Sequence, residues 1–176
     1  GGERDGFIGV LPLPNGTAPS WPEFYATRRV LPYLKLAVDR GQITPTDATD
    51  VDRALRRTVT IAGPDEPPAR LHGDLWNGNV IWTRDGEVHV IDPAAYGGHR
   101  ETDLAMLALF GLPQPQRAIE AYQAAAPLAD GWEDRAPWHA RFPLLSQPSL
   151  CGSSSAPRAG PAPRPRSAAR TSGASS

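Results

Sequence analysis

The stretch from Arg70 to Asp92 constrains the fold of this chain more than any other part of the sequence. It contains two runs rich in β-branched and aromatic residues, NVIWT at 79–83 and EVHVI at 87–91, separated by a turn with an Asp-Gly pair. Such a pair between two apolar runs is a strong signal for a β-hairpin. Because a hairpin brings its ends together, we expect Asn79, which enters the first strand, to lie beside Asp92, which follows the second.

Asp74, Asn79 and Asp92 carry the oxygen atoms that suit a hard divalent cation and a base. Magnesium needs only one or two protein oxygens when water and substrate phosphates supply its other ligands. The spacing Asp-x-x-x-x-Asn from Asp74 to Asn79 is that of the kinase catalytic loop, where the Asp accepts a hydroxyl proton and the Asn holds a metal ion. Each residue alone would be an ordinary turn or strand-entry residue. Together they predict Asp74 as a catalytic base and Asn79 and Asp92 as metal ligands.

Two segments of the chain, LHGDLWNGN at 71–79 and VIDPAAYGGHRETDLAM at 90–106, resemble the fructosamine kinase family, also called ketosamine-3-kinases. This family is a branch of the aminoglycoside phosphotransferase and choline kinase group, and the resemblance covers about residues 6–145. It implies a kinase-like fold, ATP and Mg²⁺ as cofactors, and a small-molecule ketosamine or glycated amine as the substrate. It also implies that the phosphoryl group is transferred to the 3-hydroxyl of the sugar.

The expected fold class is α+β of the protein-kinase-like type, mainly a helical C-terminal lobe with one catalytic-loop hairpin. Helical periodicity and capping signals predict four helices. The first begins at the capping box of Ser20 and Glu23, the second at Thr46, the third carries Leu104, and the fourth covers 116–126. Arg28 and Arg29 are interpreted as a solvated charged face of the first helix.

The chain lacks the sequence features that hold a nucleotide in the small lobe of a kinase. It has no G-x-G-x-x-G loop, and its single lysine, Lys35, falls in a predicted helix, whereas a kinase carries this lysine on a strand. We therefore predict that the N-terminal lobe is absent and that the chain is the C-terminal portion of a longer protein. The isolated chain is then expected to phosphorylate poorly or not at all.

The resemblance also suggests roles for residues around the predicted base. His72 is interpreted as bracing the catalytic loop, because no second His or Cys lies at metal-ligand spacing. Asp103 is expected to anchor the backbone of that loop, although it could simply interact with a helix dipole. Trp76 and Tyr96 are candidates for stacking against a sugar, and Glu101 for a substrate contact, although large aromatic residues are more often part of the core.

Charge divides the chain into two regions. All the acidic residues precede Gln147, and the charged residues after it are four arginines in a background of Ser, Pro, Ala and Gly. The sequence therefore predicts a kinase-like domain at 1–145 and a low-complexity, disordered tail at 146–176. Without those four arginines the chain has 14 basic and 19 acidic residues, which argues against nucleic acid as a partner.

Three further expectations concern location and function. The single cysteine, Cys151, cannot form an intrachain disulfide, and no stretch is long and apolar enough to cross a membrane, so a cytoplasmic protein is predicted. A related small-molecule kinase that acts on an aminoglycoside or on choline is one alternative function. An inactive remnant that only binds a ligand is another. The sequence does not indicate an oligomeric state.

Overall fold

The computed structural model describes residues 1–57 and 61–151, with side chains up to residue 146. Within these ranges the fold mixes helices with six short strands, which form three antiparallel two-stranded sheets. β1 (Gly6–Ile8) pairs with β2 (Leu11–Leu13), β3 (Ala69–Leu71) with β6 (Tyr96–Gly98), and β4 (Val80–Trp82) with β5 (Val88–Val90). The β3–β6 pair places the segment before the predicted catalytic loop beside the segment that follows the hairpin.

The first predicted helix is a continuous helical rod with an irregular middle. It comprises α1 (Trp21–Phe24), a π-helical segment (Tyr25–Val30) and α2 (Leu31–Asp39). The side chain of Ser20 caps it by accepting a hydrogen bond from the backbone N–H of Glu23 at 3.4 Å. The π-helical segment has no counterpart in the sequence prediction.

The other predicted helices are present, but the second was predicted to continue to Gly63 and Pro64, whereas its helix ends at Leu55. α3 (Pro45–Leu55) begins one residue before the predicted Thr46, because Thr44 and Asp47 form the capping box. α4 (Glu101–Phe110) and α5 (Pro115–Ala125) follow the hairpin. α6 (Trp132–His139) and α7 (Arg141–Cys151) were not predicted.

α7 extends past residue 146, where the tail was predicted to begin. Residues 152–176, which make up most of that predicted tail, lie outside the described residues. Among the residues that the structure does describe, no helix has the length and apolar character needed to span a bilayer.

The core joins the helical rod to the end of the described chain. The hydroxyl of Tyr25 donates to the carbonyl oxygen of His139 at 2.6 Å and accepts from the backbone N–H of Phe142 at 3.1 Å. Tyr25 and Phe142 are both fully buried, and Tyr33 packs edge-on against Phe142. These contacts link residues more than a hundred positions apart, so α6 and α7 belong to the same core as the first helix.

The interpretation of Arg29 as part of a solvated face is wrong. Its side chain is completely buried inside this core, although Arg28, the residue before it, is partly exposed. Helical periodicity alone does not distinguish the two arginines, because the π-helical turn at 25–30 rotates the following residues relative to a regular α-helix.

Candidate active site

The predicted hairpin is confirmed, and its two ends lie side by side. Val80 is opposite Val90 and Trp82 is opposite Val88. One step further along the ladder, the backbone N–H of Ile91 donates to the carbonyl oxygen of Asn79 at 3.0 Å. Asp92 is the next residue after Ile91, so the hairpin brings Asn79 and Asp92 to the same end of the ladder.

Asp74 is held by Asn79 through two hydrogen bonds. The Nδ2 atom of Asn79 donates to the backbone oxygen of Asp74 at 2.8 Å and to its Oδ2 at 3.0 Å. The other carboxylate oxygen, Oδ1, is buried and has no hydrogen-bond partner. One oxygen of Asp74 is therefore positioned by Asn79, while the other is left without a hydrogen bond.

Burial raises the pKa of the Asp74 carboxyl above its ordinary value of 3.8. The hydrogen bond from Asn79 acts in the opposite direction, and the negative charge of Asp92 raises the pKa further. A carboxylate with a raised pKa is a stronger base, and it remains ionised at neutral pH unless the shift is very large.

His72 connects the loop to the strand that precedes Asp92. Its Nδ1 accepts from the backbone N–H of Asp74 at 3.3 Å, which leaves the ring proton on Nε2. The Nε2 atom lies 2.9 Å from the carbonyl oxygen of Ile91, to which it donates. The imidazole thereby cross-links the residue of the predicted base to the residue before the predicted metal ligand.

Asp103 holds the same loop from the first turn of α4. Its Oδ2 accepts from the backbone N–H of His72 at 2.7 Å, and its Oδ1 accepts from the backbone N–H of Gly73 at 3.0 Å. Burial raises the pKa of Asp103, and the two backbone hydrogen bonds oppose this rise. Both carboxylate oxygens are therefore used to orient the backbone immediately before Asp74.

Asp92 has an unusual backbone conformation. Its φ angle is +52°, and Gln114 is the only other non-glycine residue with a positive φ in the described ranges. Such conformations are uncommon outside glycine, and they cluster at functional sites because the surrounding structure must compensate for their strain. The side chain of Asp92 is exposed, and the Oδ1 of Asn79 remains available because its amide nitrogen serves Asp74.

The fructosamine kinase family profile matches residues 1–159 of this chain. The chain belongs to the fructosamine kinase family. Relatives described as probable ketoamine kinases include proteins of Thermus thermophilus and Enterococcus faecium. They are 37% and 33% identical over 148 and 155 residues, which cover 84% and 88% of this chain and 53% and 56% of the relatives.

Solved structures of two candidate fructosamine-3-kinases share the fold of this family member. The protein from Thermobifida fusca is 56% identical with a TM-score of 0.83, and the alignment covers 86% of this chain and 52% of that one. The protein from Haemophilus somnus is 28% identical with a TM-score of 0.74, and the alignment covers 85% and 49% of the two chains. The chain thus spans about half the length of the family members that it matches.

Two of the three predicted substrate contacts are buried in this fructosamine kinase family chain. Tyr96 and Glu101 are only 4% and 1% exposed, so both side chains pack against other parts of the chain. Tyr96 faces the core because its strand β6 pairs with β3, where it is opposite the buried Leu71. Trp76 differs, since it is 38% exposed and its ring lies over Gly78, beside Asn79.

Glu101 belongs to a buried ion-pair cluster. Its two carboxylate oxygens accept from Arg135 at 2.6 and 3.0 Å, and Oε2 lies 3.3 Å from Nε2 of His139. His99, Glu101 and His139 present potential metal-ligating atoms within 4.8 Å of one another. Arg135 already neutralises the carboxylate, and the backbone N–H of Glu101 donates to Nδ1 of His99 at 3.4 Å, so the cluster is a structural link between α4 and α6. The sequence did not indicate it because α6 was not predicted.

We expect the substitution Glu101→Gln to lower the free energy of unfolding by about 3 kcal/mol, because breaking a buried ion pair leaves its partner uncompensated. The comparison variant is Asp39→Asn, which removes the exposed ion pair between Lys35 and Asp39 and should cost less than about 1 kcal/mol. Urea denaturation of the two variants measures the difference. Equal losses in the two variants would show that the Glu101 ion pair contributes no more than a surface contact.

The same ion pair predicts a loss of stability in acid. Burial by itself raises the pKa of Glu101, but hydrogen bonds from His139 and Arg135 outweigh it and lower the pKa from 4.5 to about 2. A carboxyl whose pKa is lowered by folding contributes stability above the pKa of the unfolded state and loses it as the pH falls through the folded value. The free energy of unfolding should therefore fall between about pH 4.5 and pH 2, and this dependence should be weaker in Glu101→Gln.

An open cavity of about 580 Å³ lies at the far end of the hairpin from Asp92. Trp82 of β4 lines it together with residues from the α4–α5 connection and the start of α5, including Leu112 and Arg117. None of its lining residues belongs to the catalytic-type loop, so the cavity is not part of the candidate active site.

Proposed function

We propose that the protein carrying this chain transfers the γ-phosphoryl group of ATP to a sugar hydroxyl of a ketosamine. The observation that supports the proposal best is the arrangement around Asp74. One of its oxygens is held by Asn79, the other has no hydrogen bond, and Asp103 and His72 accept hydrogen bonds from the backbone of residues 72–74. Membership of the fructosamine kinase family supports the same chemistry, since its relatives are described as probable ketoamine kinases.

In this proposal Asp74 is the general base. The sugar oxygen forms a bond to the γ-phosphorus, the bond from that phosphorus to the bridging oxygen of ADP breaks, and the hydroxyl proton passes to the carboxylate of Asp74. Phosphoryl transfer depends mainly on positioning and on charge stabilisation. The hydrogen bonds from Asn79 and the braced backbone provide the positioning of the base.

The side-chain oxygen atoms of Asn79 and Asp92 that do not contact Asp74 are suited to bind a magnesium ion. Asn79 offers its Oδ1 and Asp92 its carboxylate, and Mg²⁺ prefers such oxygen ligands. When bound, the ion neutralises charge on the phosphate oxygens of ATP. Asp92 and Asn79 lie at the same end of the hairpin ladder, as such a shared site requires.

A substrate panel tests the proposed function. Because the chain spans about half the length of its relatives, we would fuse it to the part of the Thermobifida fusca protein that lies outside the matched segment. This two-part fusion should phosphorylate a fructosamine in the presence of ATP and Mg²⁺, with little transfer to an aminoglycoside or to choline. The isolated chain should show little or no transfer, and NMR of the product should place the phosphate on the 3-hydroxyl.

Each alternative predicts a different result. A preference for the aminoglycoside or for choline would point to a related small-molecule kinase. No transfer to any acceptor, together with nucleotide binding that is weak and independent of Mg²⁺, would favour an inactive remnant and contradict the proposal. The fusion should bind ATP more tightly with Mg²⁺ than with EDTA, which isothermal titration calorimetry measures.

A further inference from the structure

Arg29 is a fully buried cation that has no carboxylate partner among the described residues. Its Nη1 donates to the carbonyl oxygen of Pro14 and its Nη2 to Oδ1 of Asn15, both at 2.5 Å, while its Nε has no partner. Removing a charge from water is costly unless other groups compensate it. Neutral oxygen atoms and aromatic rings provide that compensation here.

The closest aromatic partner of Arg29 is Tyr96. The guanidinium carbon lies 3.8 Å from the centre of the Tyr96 ring, against 4.7 Å for Phe24 and 5.6 Å for Phe142. Cation–π contacts of a desolvated guanidinium are among the stronger ones. Arg29 therefore interacts with the ring of Tyr96 more closely than with any other ring that it touches.

Tyr96 in turn contacts the catalytic-type loop. A Cβ atom placed on Gly73 would lie 3.0 Å from Cε1 of Tyr96, so the ring packs directly on the residue before Asp74. Tyr96 also lies four positions after Asp92, at the start of β6. The side chain of Tyr96 thus packs against the backbone of Gly73, the residue before the proposed base. Tyr96 is also the last residue of the short segment that follows Asp92, the proposed metal ligand.

The other end of Arg29 is anchored in the amino-terminal part of the chain. Its partner Asn15 donates its side-chain nitrogen to the carbonyl oxygen of Arg4 at 3.1 Å, and its backbone N–H donates to Oδ1 of Asp5 at 2.7 Å. Asn15 is itself 4% exposed. The guanidinium is therefore fixed on one side by the buried, hydrogen-bonded side chain of Asn15 and is in contact with Tyr96 through its face.

We propose that Arg29 is a positioning residue for phosphotransfer, acting through Tyr96 to hold Gly73 and the Asp92–Tyr96 segment in the geometry that Asp74 and Asp92 require. The inference rests on the proposed function. A buried charge without an ion-pair partner is a poor way to gain stability, because an apolar residue of similar volume often serves as well. A planar cation does provide a rigid, directional contact to a ring, and such a contact suits the orientation of a loop.

The test uses Arg29→Met and Arg29→Lys in the two-part fusion. Lysine keeps the charge but loses the planar contact with the ring, whereas methionine keeps the approximate volume and loses both. We expect kcat to fall at least about tenfold in both variants, since small displacements of catalytic groups cost that much, while KM for ATP changes less than about twofold. Arg53→Met, at an exposed arginine of α3, is the matched control and should leave kcat within about twofold of the parent.

A second measurement separates loop positioning from a general loss of stability and does not depend on activity. In the isolated chain, amide hydrogen exchange of Gly73, whose N–H donates to Asp103, is compared with that of Ala48, whose N–H donates to Thr44 in α3. Arg29→Met should accelerate exchange at Gly73 at least about tenfold more than at Ala48.

The outcomes distinguish the two proposals. Equal acceleration at Gly73 and Ala48, or an unchanged kcat in folded Arg29→Met, would overturn the positioning role even if the parent fusion is an active kinase. If the parent fusion were inactive, the proposed phosphotransfer would fail, and selective acceleration at Gly73 would then show only that Arg29 orients the loop. Selective acceleration together with a reduced kcat supports the inference in full.

Discussion

Replacing Asp74 with Asn is expected to lower kcat of the two-part fusion by about 10³-fold, because a positioned general base contributes roughly 10² to 10⁴ in rate. The substitution is nearly isosteric, and the amide oxygen of Asn can still accept the hydrogen bond that Asn79 donates to Oδ2. What it removes is the ability of the carboxylate to take a proton. Steady-state assays with a fructosamine as acceptor measure the effect.

The same variant should retain its fold. Folding raises the pKa of Asp74, so the ionised form is disfavoured in the folded state, and at neutral pH the carboxylate costs stability. Asp74→Asn should therefore leave the free energy of unfolding unchanged or slightly higher. Asp85→Asn, in the exposed hairpin turn, is the matched control, and its kcat should stay within about twofold of the parent.

The pH dependence gives an independent check on the role of Asp74. A general base acts in its ionised form, so kcat/KM should fall as the pH is lowered through the pKa of Asp74. Burial moves that pKa upward, so the fall should occur at a higher pH than for an ordinary aspartate. A rate that is unchanged by Asp74→Asn, or a profile without an acidic limb, would contradict the assignment of Asp74 as the base.

Replacing Gly73 with Ala is expected to lower the free energy of unfolding by about 3–5 kcal/mol and to abolish phosphotransfer, because the new methyl group meets backbone that cannot move freely. The φ angle of Gly73 is +79°, and an added Cβ would lie 2.1 Å from the carbonyl oxygen of Ala94. Ala94 lies between Asp92 and Tyr96, so relief of this clash displaces the segment that carries the proposed metal ligand.

Gly41→Ala separates backbone strain from the steric clash. Gly41 also has a positive φ, +67°, but an added Cβ would have no atom within 4 Å. Its substitution should cost about 1–2 kcal/mol, the strain of the left-handed conformation alone. Urea denaturation of the isolated chain compares the two variants, and equal midpoints would show that the close approach of Gly73 to Ala94 is not important for stability.

The largest expected losses of activity come from substitutions in the loop that contains Gly73 and Asp74. The candidate functional residues in and near this loop were selected from local sequence. Asp74, Asn79 and Asp92 fall within one stretch, and the Asp-Gly turn alone is enough to pair the strands that separate the last two. His72 was assigned a bracing role because it lacks a partner at metal-ligand spacing, and Asp103 was assigned one from the resemblance. The structure places both at hydrogen-bonding distance from the loop backbone.

Residues whose environment depends on distant parts of the chain were predicted less well. Tyr96 and Glu101 were expected to face a substrate, and both are buried, against Arg29 and Arg135 respectively. Helices α6 and α7 were missed, and α6 contains an internal proline, Pro137, a residue that normally breaks a helix. Packing against Tyr25 compensates for this low propensity, and no local pattern contains that information.

The sequence by itself was enough to predict the hairpin, to select the three oxygen-bearing residues and to identify the family. The hairpin depends on contacts between residues close in the chain, and the family was identified from two short motifs. Only the tertiary structure decided which of the two neighbouring arginines is buried, and that Arg29, without a carboxylate partner in the described residues, contacts Tyr96, which lies 67 positions later in the chain. The physical reason is that burial results from the packing of separate elements. The strand pairing that places Tyr96 and the helix that carries Phe142 together enclose the guanidinium, and neither is specified by the residues around position 29.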